Sequence, residues 1–446
     1  MSELFYKMQR KLAKKRINAV NKGVIGIIDV GTSKIVCLIL RFVPEAERVN
    51  NKSDIIASPK TVAFRIIGAA TTRSRGVTAG EIVRLDEVEK AIRTVAQAAQ
   101  KMAGVLLEDV LVSFSGGTPK SYGVSGSAKV SKRKVSEVDI GNALVNSDIP
   151  NYGSNRELIH ALPVNFSLDH RTGLSDPRGQ LGKELVVDLH LMTVDQDVIH
   201  NISQAVNNCH LTLSGLSFSP YVAGLSSLTE DEHQIGTACI DLGAGTSGVT
   251  IFLRKQMIFG GVVKLGGIQI TNDIMKAFNI SYESAERIKN IHGGLVSTSR
   301  DDRDMIEVDR ELDYQAEDRI AISRSELIGV IRPRVEEILE EIRIQLDVAG
   351  FNYLETKKIV LTGGASQLPG LFEVAGKILE CSVRVGKPIR IQGLPNATNG
   401  PEFAAAVGLA LNAGFPQDEC WDFNVPFGRS KFSKANSVFR WFAENW

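Results

Sequence analysis

Asp29-Val-Gly-Thr-Ser-Lys34 and Asp241-Leu-Gly-Ala-Gly-Thr-Ser247 repeat one local chemistry at two distant places in the chain. Each closes an apolar run, Val24–Ile28 in the first case and Ala238–Ile240 in the second. Each also opens another, Ile35–Leu40 and Val249–Leu253. The order is strand, carboxylate, glycine turn, hydroxyl, strand. Glycine at Gly31, Gly243 and Gly245 lets backbone approach a phosphate without a Cβ in the way. Turn amides and the hydroxyls of Thr32, Ser33, Thr246 and Ser247 then face phosphate oxygens, and Lys34 adds positive charge. Carboxylates repel phosphate, so Asp29 and Asp241 make sense beside a hydrated Mg2+. Two such hairpins predict two lobes closing on one triphosphate.

The 446 residues are 43% hydrophobic and 23% charged with a net charge of +1, which excludes disorder as the main state. That balance gives no electrostatic case for nucleic acid. The length allows about two to four domains. Cys37, Cys209, Cys239, Cys381 and Cys420 form no Cys-x-x-Cys pair and read as reduced structural thiols. The seven histidines show no metal-ligand spacing. No apolar run reaches the roughly 18 residues a membrane span needs. Residues 1–23 read as a flexible basic arm, with Lys7, Arg10, Lys11, Lys14, Lys15, Arg16 and Lys22 against Glu3. Such an arm either touches anionic lipid or is a solvated tail.

Farther along, Asp86–Met102 keeps helical spacing and Val110–Phe114 reads as a strand ending at Gly116-Gly117. Ser323-Arg-Ser-Glu326 is a capping box opening a long amphipathic helix. Lys358–Leu361 is a strand entering Thr362-Gly-Gly-Ala-Ser366, and such strand-to-helix turns often meet a nucleoside; Gly363, Gly364 and Ser366 are its candidates. Glu286 and Lys289, at i and i+3, share one helix face and read as a ribose-hydroxyl pair or a solvated ion pair.

Taken in order, these motifs resemble the actin/Hsp70/sugar-kinase ATPase superfamily, with Asp29–Lys34 and Asp241–Ser247 as phosphate loops and Leu361–Ser366 as the adenosine loop. Within it, the chain resembles the FtsA family of bacterial cell-division proteins. Ser113-Phe-Ser-Gly-Gly117, His160–Asp169, Asp176-Pro-Arg-Gly179, Leu265–Asp273 and Ala285-Glu-Arg-Ile-Lys289 carry that likeness. It implies an α/β, actin-like two-lobe ATPase fold of ribonuclease H-like repeats, with an inserted α+β subdomain 1C (an SHS2-like insert) in place of 1B. The implied parts are subdomain 1A (24–84, 166–196, 373–414), 1C (85–165), 2A (197–271, 323–372) and 2B (272–322), then a linker (415–430) and a terminal helix (431–446).

Two departures bear on chemistry. The family often has Gly-Gly-Gly-Thr-x-Asp in the second loop, whereas Ala244 replaces a glycine here and Gly248 stands where the Asp would be. Actin and Hsp70 relatives place Gln or Glu, which orients the attacking water, just before a Pro; here it is Ser219 before Pro220. The resemblance therefore implies binding of ATP with Mg2+ and slow or weak hydrolysis, and names no catalytic residue beyond the candidates Asp29 and Asp241.

In the terminal stretch 431–446, Phe432, Ala435, Val438, Phe439, Trp441, Phe442 and Trp446 gather on one side at about 100° per residue. An aromatic helix with basic borders, after a Pro/Gly linker, fits interfacial membrane docking; packing on the protein's own core, or on a partner, is the alternative. Five large side chains would give roughly 8–12 kcal/mol gross. Ordering a dozen residues at ~1 kcal/mol or more each offsets most of that. One copy would bind marginally, and a polymer of copies firmly.

The resemblance implies a division protein that polymerises on the cytoplasmic face of the inner membrane at the division site. It implies that FtsZ docks its C-terminal peptide on 2B and that other division proteins meet 1C; no nucleic acid is implied. Two rivals remain at this stage. One is a sugar-kinase-type phosphotransferase using Asp169 or Asp176; the other is a pilus-assembly actin homologue.

Overall fold

The computed structural model describes residues 3–42, 64–153, 155–309, 319–389 and 398–424, together with 391 and 393–395. It begins with helix α1 (Glu3–Lys22) and the strands β1 (Val24–Val30), β2 (Lys34–Phe42) and β3 (Phe64–Arg73). Then come the short hairpin β4 (Val77–Thr78)/β5 (Glu81–Ile82), α2 (Leu85–Ala103) and β6 (Asp109–Phe114). The next block is β7 (Lys120–Lys129), α3 (Glu137–Val145), β8 (Arg156–Leu168), β9 (Arg171–Leu174) and β10 (Glu184–Asp195). After it run α4 (Gln196–Asn208), β11 (Thr212–Phe218), α5 (Ser219–Ser227) and α6 (Glu230–Ile235).

The second half opens with β12 (Thr237–Leu242), β13 (Ser247–Leu253), β14 (Gln256–Val263), α7 (Gly267–Phe278) and α8 (Tyr282–His292). It continues through β15 (Met305–Asp309), β16 (Arg319–Ser323), α9 (Arg324–Val348) and β17 (Lys358–Thr362), and ends with α10 (Leu371–Ile378), β18 (Ser382–Val385) and α11 (Ala404–Gly414).

Two five-stranded sheets carry the same topology. The first runs β3-β2-β1-β6-β11 and the second β14-β13-β12-β17-β18. In each, three strands form an antiparallel meander and two more add in parallel at the far side of the first strand. Parallel neighbours require crossovers, and the helices that supply them cover the sheets. Ile25, Ile27, Ile28, Ile35, Leu38 and Ile39 are fully buried, as expected for a sheet covered on both faces. Between the sheets lie α5 and α11, whose backbones approach so closely that a Cβ on Gly408 would fall on the carbonyl of Val222.

The third sheet, β7-β10-β8-β9, belongs to the insert, with α3 packed on it. Its extent corrects the expected boundaries. Helix α2 packs on β2 and β3, and α4 packs on α2, so residues 85–115 and 197–218 belong to the first lobe and the insert spans about Gly116–Asp195. Residues 166–196, expected in 1A, supply β9 and β10 of the insert, while α10 packs with α9 and β18 in the second lobe. An amphipathic helix such as α2 needs an apolar surface, but its periodicity does not say which sheet provides it.

The amino-terminal segment is also corrected. Rather than a flexible arm, α1 is a helix whose Leu12, Ala13 and Ala19 are buried, Ala19 against the first lobe and Ala13 against the insert's core. Lys22 anchors its end on Glu108 and Asp109, each at 3.1 Å. Cys37, Cys239 and Cys420 are buried free thiols, and Cys209 and Cys381 are partly buried. The capping box is present as expected: Ser323 N–H donates to Glu326 Oε2 at 2.8 Å, and Glu326 N–H donates to Ser323 Oγ at 3.2 Å. Among the described residues no helix is long and apolar enough to cross a membrane. The expected terminal helix, with Phe432, Val438, Phe439, Trp441, Phe442 and Trp446, lies outside the described residues, as does the linker beyond Asn424.

Candidate functional site

The two hairpins have matching register. Asp29 lies opposite Val36 in β1–β2, and Asp241 opposite Gly248 in β12–β13. Each turn closes the same way: Gly31 N–H donates to the Lys34 carbonyl at 3.1 Å, and Gly243 N–H to the Thr246 carbonyl at 2.9 Å. The turns meet across the lobes. A Cβ on Gly245 would sit 2.6 Å from Thr32 Oγ1. Thr246 Oγ1 lies 3.0 Å from Ser115 Oγ at the end of β6, and Thr32 Oγ1 accepts the Gly80 N–H at 3.2 Å. Lys264 Nζ adds an interlobe ion pair with Glu81 at 2.8 Å.

Both carboxyls therefore look into one cleft of about 520 Å³. Asp29 is buried, and its Oδ1 accepts from Ser113 Oγ at 2.7 Å and Ser219 Oγ at 3.1 Å. Burial raises its pKa; the two hydroxyls and Lys34 work against that. Asp241 is pushed up to about 7, first by burial and then by the Asp29 carboxylate, with Lys34 opposing. Burial lowers the Lys34 pKa while Glu402, Asp29 and Asp241 hold it up. Its Nζ rests 3.6 Å from the centroid of the Phe403 ring.

Two inward-facing carboxyls raised in pKa mark a site short of positive charge. The donors are all oxygen, which suits Mg2+, an ion that keeps most of its waters and takes few protein ligands. Among the described residues no three His, Cys, Asp or Glu side chains cluster into a metal cage. An ion here would rest on Asp29, Asp241 and the anion it accompanies.

The far end of the cleft comes from the second lobe. Lys289 Nζ pairs with Glu286 Oε2 at 2.6 Å and donates to Thr271 Oγ1 at 2.7 Å and the Gly267 carbonyl at 3.2 Å. This network makes Glu286/Lys289 a fixed, half-buried pair on the cleft wall rather than a solvated one. Gly266 and Gly267 seat the start of α7 against the second turn, with Gly267 N–H on the Gly243 carbonyl at 3.0 Å and Ile268 N–H on the Ala244 carbonyl at 2.8 Å. At the end of β17, Gly363 takes a positive φ of 83°, and a Cβ there would strike Asp241 Oδ1. Only glycine permits that close passage.

Asp29, Gly31, Thr32, Ser33, Lys34, Asp241, Gly243, Ala244, Thr246, Glu286, Lys289, Gly363 and Gly364 all line the cleft. Three other expected residues do not. Gly245 packs on Thr32; Ser247 is buried and donates to the Leu265 carbonyl at 2.8 Å; Ser366 is buried and donates to the Gly363 carbonyl at 2.7 Å. Sequence reading missed Ser115, Gly267, Asn290, Gln367 and Glu402 as lining residues. The Gly266-Gly267 pair was a usable signal for one of them; Ser115 lies within Ser113–Gly117, Asn290 and Gln367 directly follow Lys289 and Ser366, and only Glu402 comes from a segment without a quoted motif. Gly248 has a physical reason too, because a Cβ there would collide with the Pro220 ring. Asp169 and Asp176 lie elsewhere: Asp169 accepts from Lys183 and Glu184 N–H groups, and Asp176 from Arg178 N–H, all within the insert. Neither lines the cleft, which removes the kinase reading's catalytic base.

Comparison with known proteins bears on the same residues. A family model described as "Cell division protein FtsA" matches residues 238–408, and one described as "SHS2 domain inserted in FTSA" matches residues 116–193. A "Cell division protein FtsA" of Rhizobium meliloti (strain 1021) is 36% identical over 403 residues, covering 90% of this chain and 89% of the relative. The chain belongs to the FtsA family. The family's inserted domain coincides with the third sheet, which is why 85–165 was the wrong span for it. Solved structures share the fold of this FtsA relative at low identity. The "PilM-PilN type IV pilus biogenesis complex" aligns with a TM-score of 0.57 at 17% identity, over 87% of this chain and 98% of that one. MreB5 of Spiroplasma citri bound to ADP aligns with a TM-score of 0.51 at 11% identity, over 87% and 95%. The fold is actin-like. With identity to FtsA proteins of this order, the pilus-assembly alternative retains only a likeness of fold.

Proposed function

We propose that this FtsA-family chain binds ATP with Mg2+ between its lobes, polymerises on the cytoplasmic face of the membrane and holds FtsZ there. The observation that carries the nucleotide part is the meeting of the two turns, Thr32 against Gly245, with Asp29 and Asp241 opening on one cleft. In this reading the amides and hydroxyls of Thr32 and Ser33 and of Ala244 and Thr246, held out by the two closed turns, take phosphate oxygens, and Lys34 neutralises charge. Glu286 and Lys289 take the ribose, and Gly363–Gly364 approach the base. Bound Mg2+ would supply charge neutralisation of the phosphates, and Asp29 and Asp241 would hold its waters. That an actin-like relative of similar fold is described as bound to ADP supports the assignment.

Hydrolysis is expected to be slow. Ser219 occupies the place where a water-orienting carboxamide or carboxylate would stand, and its hydroxyl is engaged with Asp29 at 3.1 Å. A hydroxyl is a poor general base.

Membrane attachment rests on the aromatic segment 431–446 and on family membership. FtsZ docking on residues 272–322, which include α8, β15 and β16, and contact of further division proteins with the insert rest on family membership alone. Flotation with liposomes tests the tether. The full-length chain should rise with vesicles, and a chain ending at Gly428 should stay at the bottom; equal flotation of the two would remove the tether.

A further inference from the structure

The described chain ends at Asn424, and what surrounds that point is basic on two sides. On one side Arg10 of α1 donates to Asn424 Oδ1 at 2.9 Å. On the other, the Arg178 guanidinium of the insert lies 5.4 Å from the centroid of the Phe423 ring. Ala13, Val135, Trp421 and Phe423 share one apolar cluster, so α1, the insert and the departing segment pack as a unit. Glu419 fixes that segment further, accepting from Ala161 N–H at 2.7 Å and lying 3.1 Å from His160 Nδ1.

Helix α1 is amphipathic in a particular way. Leu12, Ala13 and Ala19 are buried, whereas Lys11 and Lys14 are exposed on the other side and Lys15, bordering the buried stripe, is half-exposed. The insert answers with Lys132, Arg133 and Lys134, all exposed. This loop is pinned beside Arg178: Gly182 N–H donates to the Arg133 carbonyl at 2.9 Å and Val135 N–H to the Gln180 carbonyl at 2.9 Å. Glu137 and Asp176 pair with Arg178 at 2.8 and 3.7 Å, so the positive charge on this side is that of Lys132, Arg133 and Lys134. Asp422, in the departing segment, accepts from Glu419 N–H at 2.9 Å, and Asp418 is exposed there.

We propose that α1 and the 129–134 loop form a basic rim that docks on anionic phospholipid at the root of the carboxy-terminal segment. The occupant is a bilayer surface because the 22 residues beyond Asn424 carry an aromatic, basic-flanked helix pattern, and Phe423 and Asn424, from which they continue, touch Arg178 and Arg10. A single weakly inserting helix gives reversible attachment, and a polybasic surface beside it is the second signal that makes attachment firm. The rim also restrains the orientation of the lobes on the membrane, since α1 is packed rigidly on the first. This inference rests on the tether reading.

The test uses the full chain with vesicles of phosphatidylcholine, with and without phosphatidylglycerol. Lys11→Gln/Lys14→Gln/Lys15→Gln and Lys132→Gln/Arg133→Gln/Lys134→Gln should each lower affinity for the anionic vesicles about tenfold or more. Binding to neutral vesicles should stay at the wild-type level, and the difference should close at high salt. Five of the six side chains are exposed and Lys15 is half-exposed, so thermal unfolding should be little changed. Wild-type affinity of both triple variants for anionic vesicles at low salt overturns the rim, as does an equal loss on neutral vesicles. Failure of the tether looks different: the full chain and the chain ending at Gly428 would then bind every vesicle alike.

Discussion

Asp241→Asn should lower the affinity for ATP in the presence of Mg2+ by about 100-fold, and should do much less when Mg2+ is chelated. Loss of an ionic contact of about 2–3 kcal/mol sets that scale. The same change should make the nucleotide-free protein more stable at about pH 8. The sign follows from the raised pKa of Asp241, about 7 in the folded chain against about 3.9 unfolded. Between those values the folded state holds more protons than the unfolded one, so stability falls as pH rises from about 4 towards 7. Asparagine carries no such loss. Thermal melts should therefore separate variant from wild type at about pH 8 and converge at about pH 4. By the same linkage, ATP and Mg2+ binding to wild type should release protons near neutrality and weaken as pH falls below about 7. A variant that binds ATP with Mg2+ as wild type does would remove Asp241 from the site.

Gly408→Ala should destabilise the chain by about 3 kcal/mol or more, although alanine is the better helix former by about 1 kcal/mol. The added methyl has no room: its position falls on the Val222 carbonyl where α11 crosses α5. That carbonyl belongs to a helix buried at every residue but Leu225, so neither backbone can step aside without opening the layer between the sheets. Gly104→Ala is the control. It also changes one glycine, the αL residue after α2, but nothing stands within 4 Å of the new atom. Its cost should stay near 1 kcal/mol, the usual penalty of a left-handed alanine. Denaturant titrations of the two variants check the contrast; equal costs would mean that the α5–α11 contact is not close-packed.

What could be read from the sequence follows from how local the information is. The turns at Asp29–Lys34 and Asp241–Ser247 were legible because each is set by neighbours in sequence: two strands, one glycine turn, one carboxylate. Their meeting was an inference from duplication, and the matching sheet orders supply it. Ser115 sits in a legible strand-end motif, but only the opposing lobe's Thr246 shows that it reaches the cleft; Glu402 was not legible, since it comes from a segment with no pattern of its own. Ser247 and Ser366 have the expected residue types in the expected turns, yet their hydroxyls satisfy neighbouring carbonyls instead of facing the cleft. The basic count of the first 22 residues hid α1, because Ala13 and Ala19, two of the three buried residues among its described side chains, are small. The insert was expected from the family resemblance but displaced by some thirty residues, because α2 fits an apolar surface of either unit.

In the proposed function both turns grip the same nucleotide. Calorimetric titration of the full chain with ATP and Mg2+, repeated with one altered residue in each turn, Lys34→Ala and Thr246→Val, measures that directly. The expected result is one nucleotide per chain, with both substitutions weakening that single event by roughly tenfold or more. Two separate binding events, or a substitution in one turn that leaves the isotherm untouched, would contradict it.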